Sequence, residues 1–282
     1  MTENFKLVLN DIVSGAKSRF AIYASFFSLW TLYLLYNNNF FYPFYFWIFY
    51  SILVLFIVPV YFLILVEDKS AVIKGLFAFL LIASVAFAFY LISLKGKARN
   101  IERNEIVNGL MVISSLPIIL YMIFKKKFFL SDFGFSFGKI KTALFFTLIC
   151  SLGAVAIAYI ASLNPQFRNV YPLIRSMKTG TGIFIQYEAG FLLFFFLWEF
   201  FFRGAMLFAF IKSSDSIMTA VVLQSVIFAF AHLGKPGMET VSSLFGGLVL
   251  GFIVYRIKTF LPAAFIHFVL AMTMDIISVY FR

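Results

Sequence analysis

Two histidines occur in this chain of 282 residues, His232 and His267, and both lie within apolar runs of its C-terminal half. The acids deep in such runs are in the same half, Glu188, Glu199 and Asp275, and they are joined there by Arg203. A charge at the centre of a membrane helix costs ~2.5–3.5 kcal/mol even on the lenient insertion scale, so each of these residues calls for an explanation. Imidazole is the side chain best suited to move protons near neutral pH or to hold a metal, and a buried carboxylate beside it suggests acid–base chemistry. In Trp198-Glu199-Phe200-Phe201-Phe202-Arg203-Gly204, the acid and the arginine stand one helical turn apart and can pair along one face. Arginine suits this role because it stays charged and can grip a carboxylate with two donors. Taken alone, the pair reads equally well as a structural pin within the helix.

The neighbours of the histidines extend the pattern. Phe228 precedes His232 by four residues and shares its helix face, where it can line a site. Ala271 and Asp275 follow His267 on the next two turns, which puts Asp275 about 12 Å further along the axis. There it either orients an imidazole or contacts substrate, or it is a span-end acid at the interface. The run His232-Leu233-Gly234-Lys235-Pro236-Gly237-Met238-Glu239 stops one helix and starts another. Glu239 is then a first-turn acid, favourable against the helix dipole and within range to reach back towards His232. Ser243, Gly247 and Gly251 form a small-residue stripe that admits a neighbouring helix at close range.

The elements that must position these groups are membrane helices. The chain is 63% hydrophobic and 12% charged, with a mean hydropathy of +0.99, far from the composition of soluble domains. With 42 Phe, 14 Tyr and 3 Trp it would aggregate in water, which excludes a disordered chain and a soluble nucleic-acid binder. Apolar runs near 20–36, 45–66, 73–94, 107–124, 141–163, 183–210, 217–233, 240–257 and 260–281 are continuous rather than alternating. They predict an all-α, polytopic bundle of about 8–9 spans rather than a barrel. Residues 4–18 read as an interfacial amphipathic helix before a retained first span.

The net charge of +11 reads as headgroup contact and topology rather than phosphate chemistry, because the Lys and Arg sit mostly between the apolar runs. Counted by loop, thirteen fall on the side of an inside N-terminus and nine on the other, which favours N-inside. Cys150 is the sole cysteine, so neither an intrachain disulfide nor a cysteine metal cluster is available. Residues 1–127 read as scaffold helices. Residues 128–282 read as the functional core, opening with an interfacial Phe/Gly/Ser segment at 128–140.

An acid-xxx-Arg-Gly helix, a Phe-xxx-His helix, a small-residue helix and a final helix bearing His together resemble the CPBP (Abi) family of intramembrane peptidases, which includes the type II CAAX prenyl proteases. The resemblance spans about residues 128–282 and is strongest over 198–275. The family pattern is Glu-Glu-xxx-Arg, Phe-xxx-His and His-xxx-Asn/Asp. It implies that Glu199 is the second glutamate, Arg203 the arginine, Phe228 and His232 the second motif and His267 the third. Trp198 stands where the first glutamate, the family's water-activating base, would be, and Ala271 stands where Asn or Asp would be. Adjacent helical residues point about 100° apart, so Glu199 takes over that direction only through helix rotation or a local distortion. Glu239 and Asp275 are the other acids that can substitute.

The resemblance implies an intramembrane endopeptidase acting on a membrane-anchored or lipidated protein, with a carboxylate-activated water and histidines near the developing oxyanion. Its convergent acid and histidines would surround a hydrated cavity. The expected site is metal-free and cofactor-free. The alternative is zinc held by His232, His267 and Glu199, although no HExxH-type signature supports it. Two other functions compete: a catalytically inactive membrane scaffold or maturation partner, and a proton-coupled carrier. The setting expected is a prokaryotic cytoplasmic (inner) membrane, with the lipid bilayer and a membrane-anchored substrate as partners and no nucleic acid.

Overall fold

The computed structural model describes residues 6–8, 10–11, 124, 129–213, 216–232 and 235–281. The first four expected spans, the scaffold reading of 1–127 and the orientation count lie largely outside these residues, as does most of the interfacial helix. Of that helix, 6–8 and 10–11 are described and are helical. Among the described residues every regular element is a helix. In chain order these are α1 (Ile140–Ser162), α2 (Pro165–Val170), α3 (Thr181–Glu199), a π-helical continuation (Phe200–Met206), α4 (Leu207–Ser213), α5 (Ile217–Phe230), α6 (Gly237–Ile257) and α7 (Leu261–Tyr280). Short 3-10 turns occupy Leu130–Phe133 and Arg175–Thr179.

Four of these stretches are long and apolar enough to cross a membrane: Ile140–Ser162, Thr181–Met206, Gly237–Ile257 and Leu261–Tyr280. The chain is an integral membrane protein. α5 is apolar too but shorter, and Ala231 is its C-cap.

Helix ends follow local chemistry. Asn164 caps α2 by accepting from the Gln166 amide, and proline follows it at the first helical position. The Ser216 hydroxyl caps α5 by accepting from Thr219. Lys258 ends α6 in the left-handed conformation at φ 60°, a place where glycine is the usual residue. Arg168 lends Nε to the Ser162 carbonyl and Nη2 to the Leu163 carbonyl, so it covers the otherwise unpaired end of α1.

Packing places α7 against α1 and α3, and α5 against α6. The small-residue stripe of α6 does what its spacing implies. A Cβ on Gly247 would lie 2.9 Å from Ser225 Cβ, and one on Gly251 would lie 2.9 Å from Val221 Cγ1. Only backbones without side chains can pack this closely, which fixes α5, and with it Phe228 and His232, against α6. Gly204 serves the same purpose on the other side, since a Cβ there would stand 2.6 Å from the Phe133 carbonyl.

Candidate functional site

Glu199 is the last α-helical residue of α3, and the π-helical segment begins at the next position. Such wide turns break the regular i→i−4 ladder and are frequent at functional sites. The distortion follows Glu199 and leaves Trp198 and Glu199 on successive positions of a regular helix. Glu199 and Arg203 are both fully buried. Arg203 Nη1 donates to Glu199 Oε1 at 2.8 Å, so the one-turn pairing is realised. The guanidinium carbon lies 3.6 Å from the Phe228 ring centroid, where the ring face takes up part of the charge that burial strips of water.

The same carboxylate oxygen meets α7. His267 Nδ1 lies 2.7 Å from Glu199 Oε1; a carboxylate only accepts, so the proton of this bond belongs to Nδ1. Oε2 of Glu199 is buried and unpartnered. His232 is 4% exposed and its Nδ1 lies 2.8 Å from the Phe228 carbonyl, which likewise assigns the proton to Nδ1 and leaves Nε2 as an acceptor. The two imidazoles stack at 21°, with centroids 6.1 Å apart. Phe228 touches both, at 4.5 Å from His232 and 5.9 Å from His267, and Phe195 covers His267 at 4.4 Å. Glu199, Arg203, Phe228, His232 and His267 thus form one cluster drawn from α3 and its π-helical continuation, α5 with its C-terminal turn, and α7.

Trp198 belongs to this cluster as well. It is 3% exposed, stacks on Phe194 at 5.5 Å, and its ring lies 6.3 Å from both His232 and Phe228. Its Nε1 is buried without an acceptor. The indole therefore occupies the side of the cluster facing His232, while Glu199 faces His267. The site is closed. Cavities of ≈ 400, ≈ 520 and ≈ 440 Å³ indent the described residues, and none is lined by Glu199, His232 or His267. The His267 side chain keeps 12% exposure. Among the described residues, the rings of Trp198, Phe195 and Phe228 are the aromatic neighbours of the two imidazoles.

Glu239 and Asp275 do not join the cluster. Glu239 accepts from the Tyr171 hydroxyl at 2.9 Å and pairs with Lys235 at 3.5 Å, and it makes no bond to His232. The His232 carbonyl instead accepts from Thr240 Oγ1 at 2.8 Å. The reason is geometric: a first-turn residue of α6 projects towards the 171–174 loop that packs over this end of the bundle. Asp275 is fully buried, and its Oδ1 accepts from the Leu173 amide at 3.3 Å, while Oδ2 is unpartnered. Glu188, Lys235 and Glu239 are its electrostatic neighbours. Asp275 is thus neither an exposed interfacial acid nor an orienter of His267. It fastens a loop.

Sequence reasoning missed Tyr171, whose contact with Glu239 spans 68 residues, and Leu173, whose amide bonds a residue 102 positions away. Nothing in their local sequence signals either contact. It also missed Gln224, fully buried with an unpartnered side-chain amide, although helical spacing aligns it with Phe228 and His232.

For a metal, among the described residues no group of three or more His, Cys, Asp and Glu side chains converges as a ligand set. The set His232, His267 and Glu199 holds together through a hydrogen bond and ring stacking instead. Compared with known families, residues 181–273 match the family model described as "Type II CAAX prenyl endopeptidase Rce1-like". Neither the curated proteins nor the solved structures contain a match.

Proposed function

Across residues 181–273 the chain is CPBP/CAAX protease-like, and from that premise we propose that it is an intramembrane endopeptidase that hydrolyses a peptide bond in a membrane-anchored or lipidated protein. The observation that carries this reading is the shared oxygen of Glu199, held by Arg203 and His267 while its second oxygen stays unpartnered. Glu199 Oε2 is the base: it takes a proton from water as the water oxygen attacks the scissile carbonyl carbon. Collapse of the tetrahedral intermediate breaks the C–N bond, and the proton passes from Glu199 to the leaving amine. Arg203 pairs with the carboxylate and orients it. His232 and His267 line the carbonyl side, where neighbouring N–H donors stabilise the developing oxyanion. Glu239 and Asp275 position the loop over the cluster. The proposed chemistry is metal-free, the partners are the bilayer and the substrate, and the setting is a prokaryotic cytoplasmic membrane.

One observation favours a second reading. Trp198 packs where a catalytic carboxylate would face His232, as in a catalytically inactive relative that serves as a scaffold or maturation partner. The test is cleavage of membrane-protein substrates from the host by purified protein in liposomes, with Glu199→Ala, His232→Ala, His267→Ala and Glu239→Ala alongside. The peptidase reading expects loss of cleavage in the first three. It fails if wild type and all four variants behave alike, and loss of cleavage only on chelation would assign the chemistry to a metal.

A further inference from the structure

A cavity of ≈ 440 Å³ lies between α2 and the 3-10 turn that precedes α3, lined by Arg168, Asn169, Tyr171, Pro172, Arg175 and Lys178. Three of its six wall residues are cationic and none is acidic. Arg168 is held in place by the two carbonyls at the end of α1. Arg175 and Lys178 are exposed and form no ion pair among the described residues. The Asn169 amide adds a neutral donor. The wall is braced from behind: the Tyr171 hydroxyl is bonded to Glu239 and the Leu173 amide to Asp275. Three cations without an acidic partner among the described residues, gathered around one concavity of ligand size, make an anion site. Its level in the fold narrows the anion. The pocket lies where α1 ends and α3 begins, at the end of two membrane spans, which is the depth of lipid headgroups.

We propose that this pocket binds the phosphate group of an anionic phospholipid, with the Arg168 and Arg175 guanidiniums and the Lys178 ammonium as its donors. The Arg175 guanidinium can match two phosphate oxygens at once, Arg168 adds the Nη1 donor that its bonds to the α1 carbonyls leave over, and the lysine adds a point charge. A headgroup bound here touches the outer side of the same loop whose inner side carries the Tyr171–Glu239 bond. The site is separate from the Glu199–His267 cluster and does not depend on the peptidase reading.

The test uses the full chain in neutral detergent. Binding is followed by native mass spectrometry and thermal shift, with short-chain phosphatidylglycerol, phosphatidylcholine and inorganic phosphate as probes. Phosphatidylglycerol is expected to bind saturably and more tightly than phosphatidylcholine. Arg175→Gln and Lys178→Gln should each weaken it roughly fivefold, and together about 25-fold. Lys139→Gln/Lys141→Gln, at the far end of α1, should leave it unchanged. If inorganic phosphate competes at equal concentration, the ligand is free phosphate in the same donor set; if it does not, the ligand is the headgroup. Equal binding of the two lipids overturns the proposal. So does the same loss in the Lys139/Lys141 control, or no loss in the Arg175/Lys178 variant.

Discussion

Replacing Glu199 by Gln separates the chemistry of this carboxylate from its structural work. Truncation to Ala would do both kinds of damage at once. It removes the base and strands a fully buried Arg203, and breaking a buried pair in this way costs ~3–5 kcal/mol. Glutamine keeps the volume and an acceptor oxygen for Arg203 Nη1 and His267 Nδ1, so its stability cost should be smaller, about 2 kcal/mol. The rate should fall far more, by about 10²–10⁴, the contribution of a positioned general base, which corresponds to roughly 2.7–5.5 kcal/mol of transition-state stabilisation. The companion variant Glu199→Gln/Arg203→Met removes both charges, and replacing a buried ion pair by neutral groups of similar volume is often neutral or stabilising. It should recover most of the thermal stability and none of the cleavage. Both quantities are read on one preparation, as initial cleavage rate in liposomes and as the unfolding midpoint in detergent. If cleavage returns together with stability in the double variant, or if Glu199→Gln keeps more than a tenth of the wild-type rate, Glu199 is a structural pin and the assignment of the base is wrong.

Three further outcomes follow from the geometry. Trp198→Glu places a second carboxylate towards His232; it should leave a peptidase of the proposed kind no more than about tenfold faster, whereas a change from no cleavage to cleavage would establish that the natural chain is inactive. Glu239→Gln and Asp275→Asn should keep cleavage within about tenfold of wild type, because their bonds run to Tyr171 and Leu173 rather than to the histidines; loss of a hundredfold or more in either, at unchanged stability, would move the base there. Gly247→Ala forces a Cβ to within 2.9 Å of Ser225 Cβ and should cost ~1–3 kcal/mol through overpacking between α5 and α6, read as a lower unfolding midpoint; an unchanged midpoint would show that the helices separate freely.

What could be read from the residues alone was whatever depends on local geometry or on solvent. The apolar runs required membrane helices because the bilayer leaves backbone groups no other partners, and the runs at 141–163, 183–210, 240–257 and 260–281 form helices long and apolar enough to span, with bounds within a few residues. The Glu199–Arg203 pair and the Phe228–His232 stripe were legible because helical periodicity puts residues four apart on one face. Small residues at 247 and 251 marked a close approach without naming the helix that makes it. The rest was decided by packing between distant segments. That His267 rather than His232 bonds Glu199 depends on how α7 lies against α3, and no local pattern records that placement. The π-helical turn after Glu199 and the indole of Trp198 beside His232 are likewise visible only in the folded chain. Glu239 and Asp275, equal candidates by spacing, were taken out of the cluster by a loop far away in sequence, since a buried carboxylate is held by whichever donor the fold brings within reach.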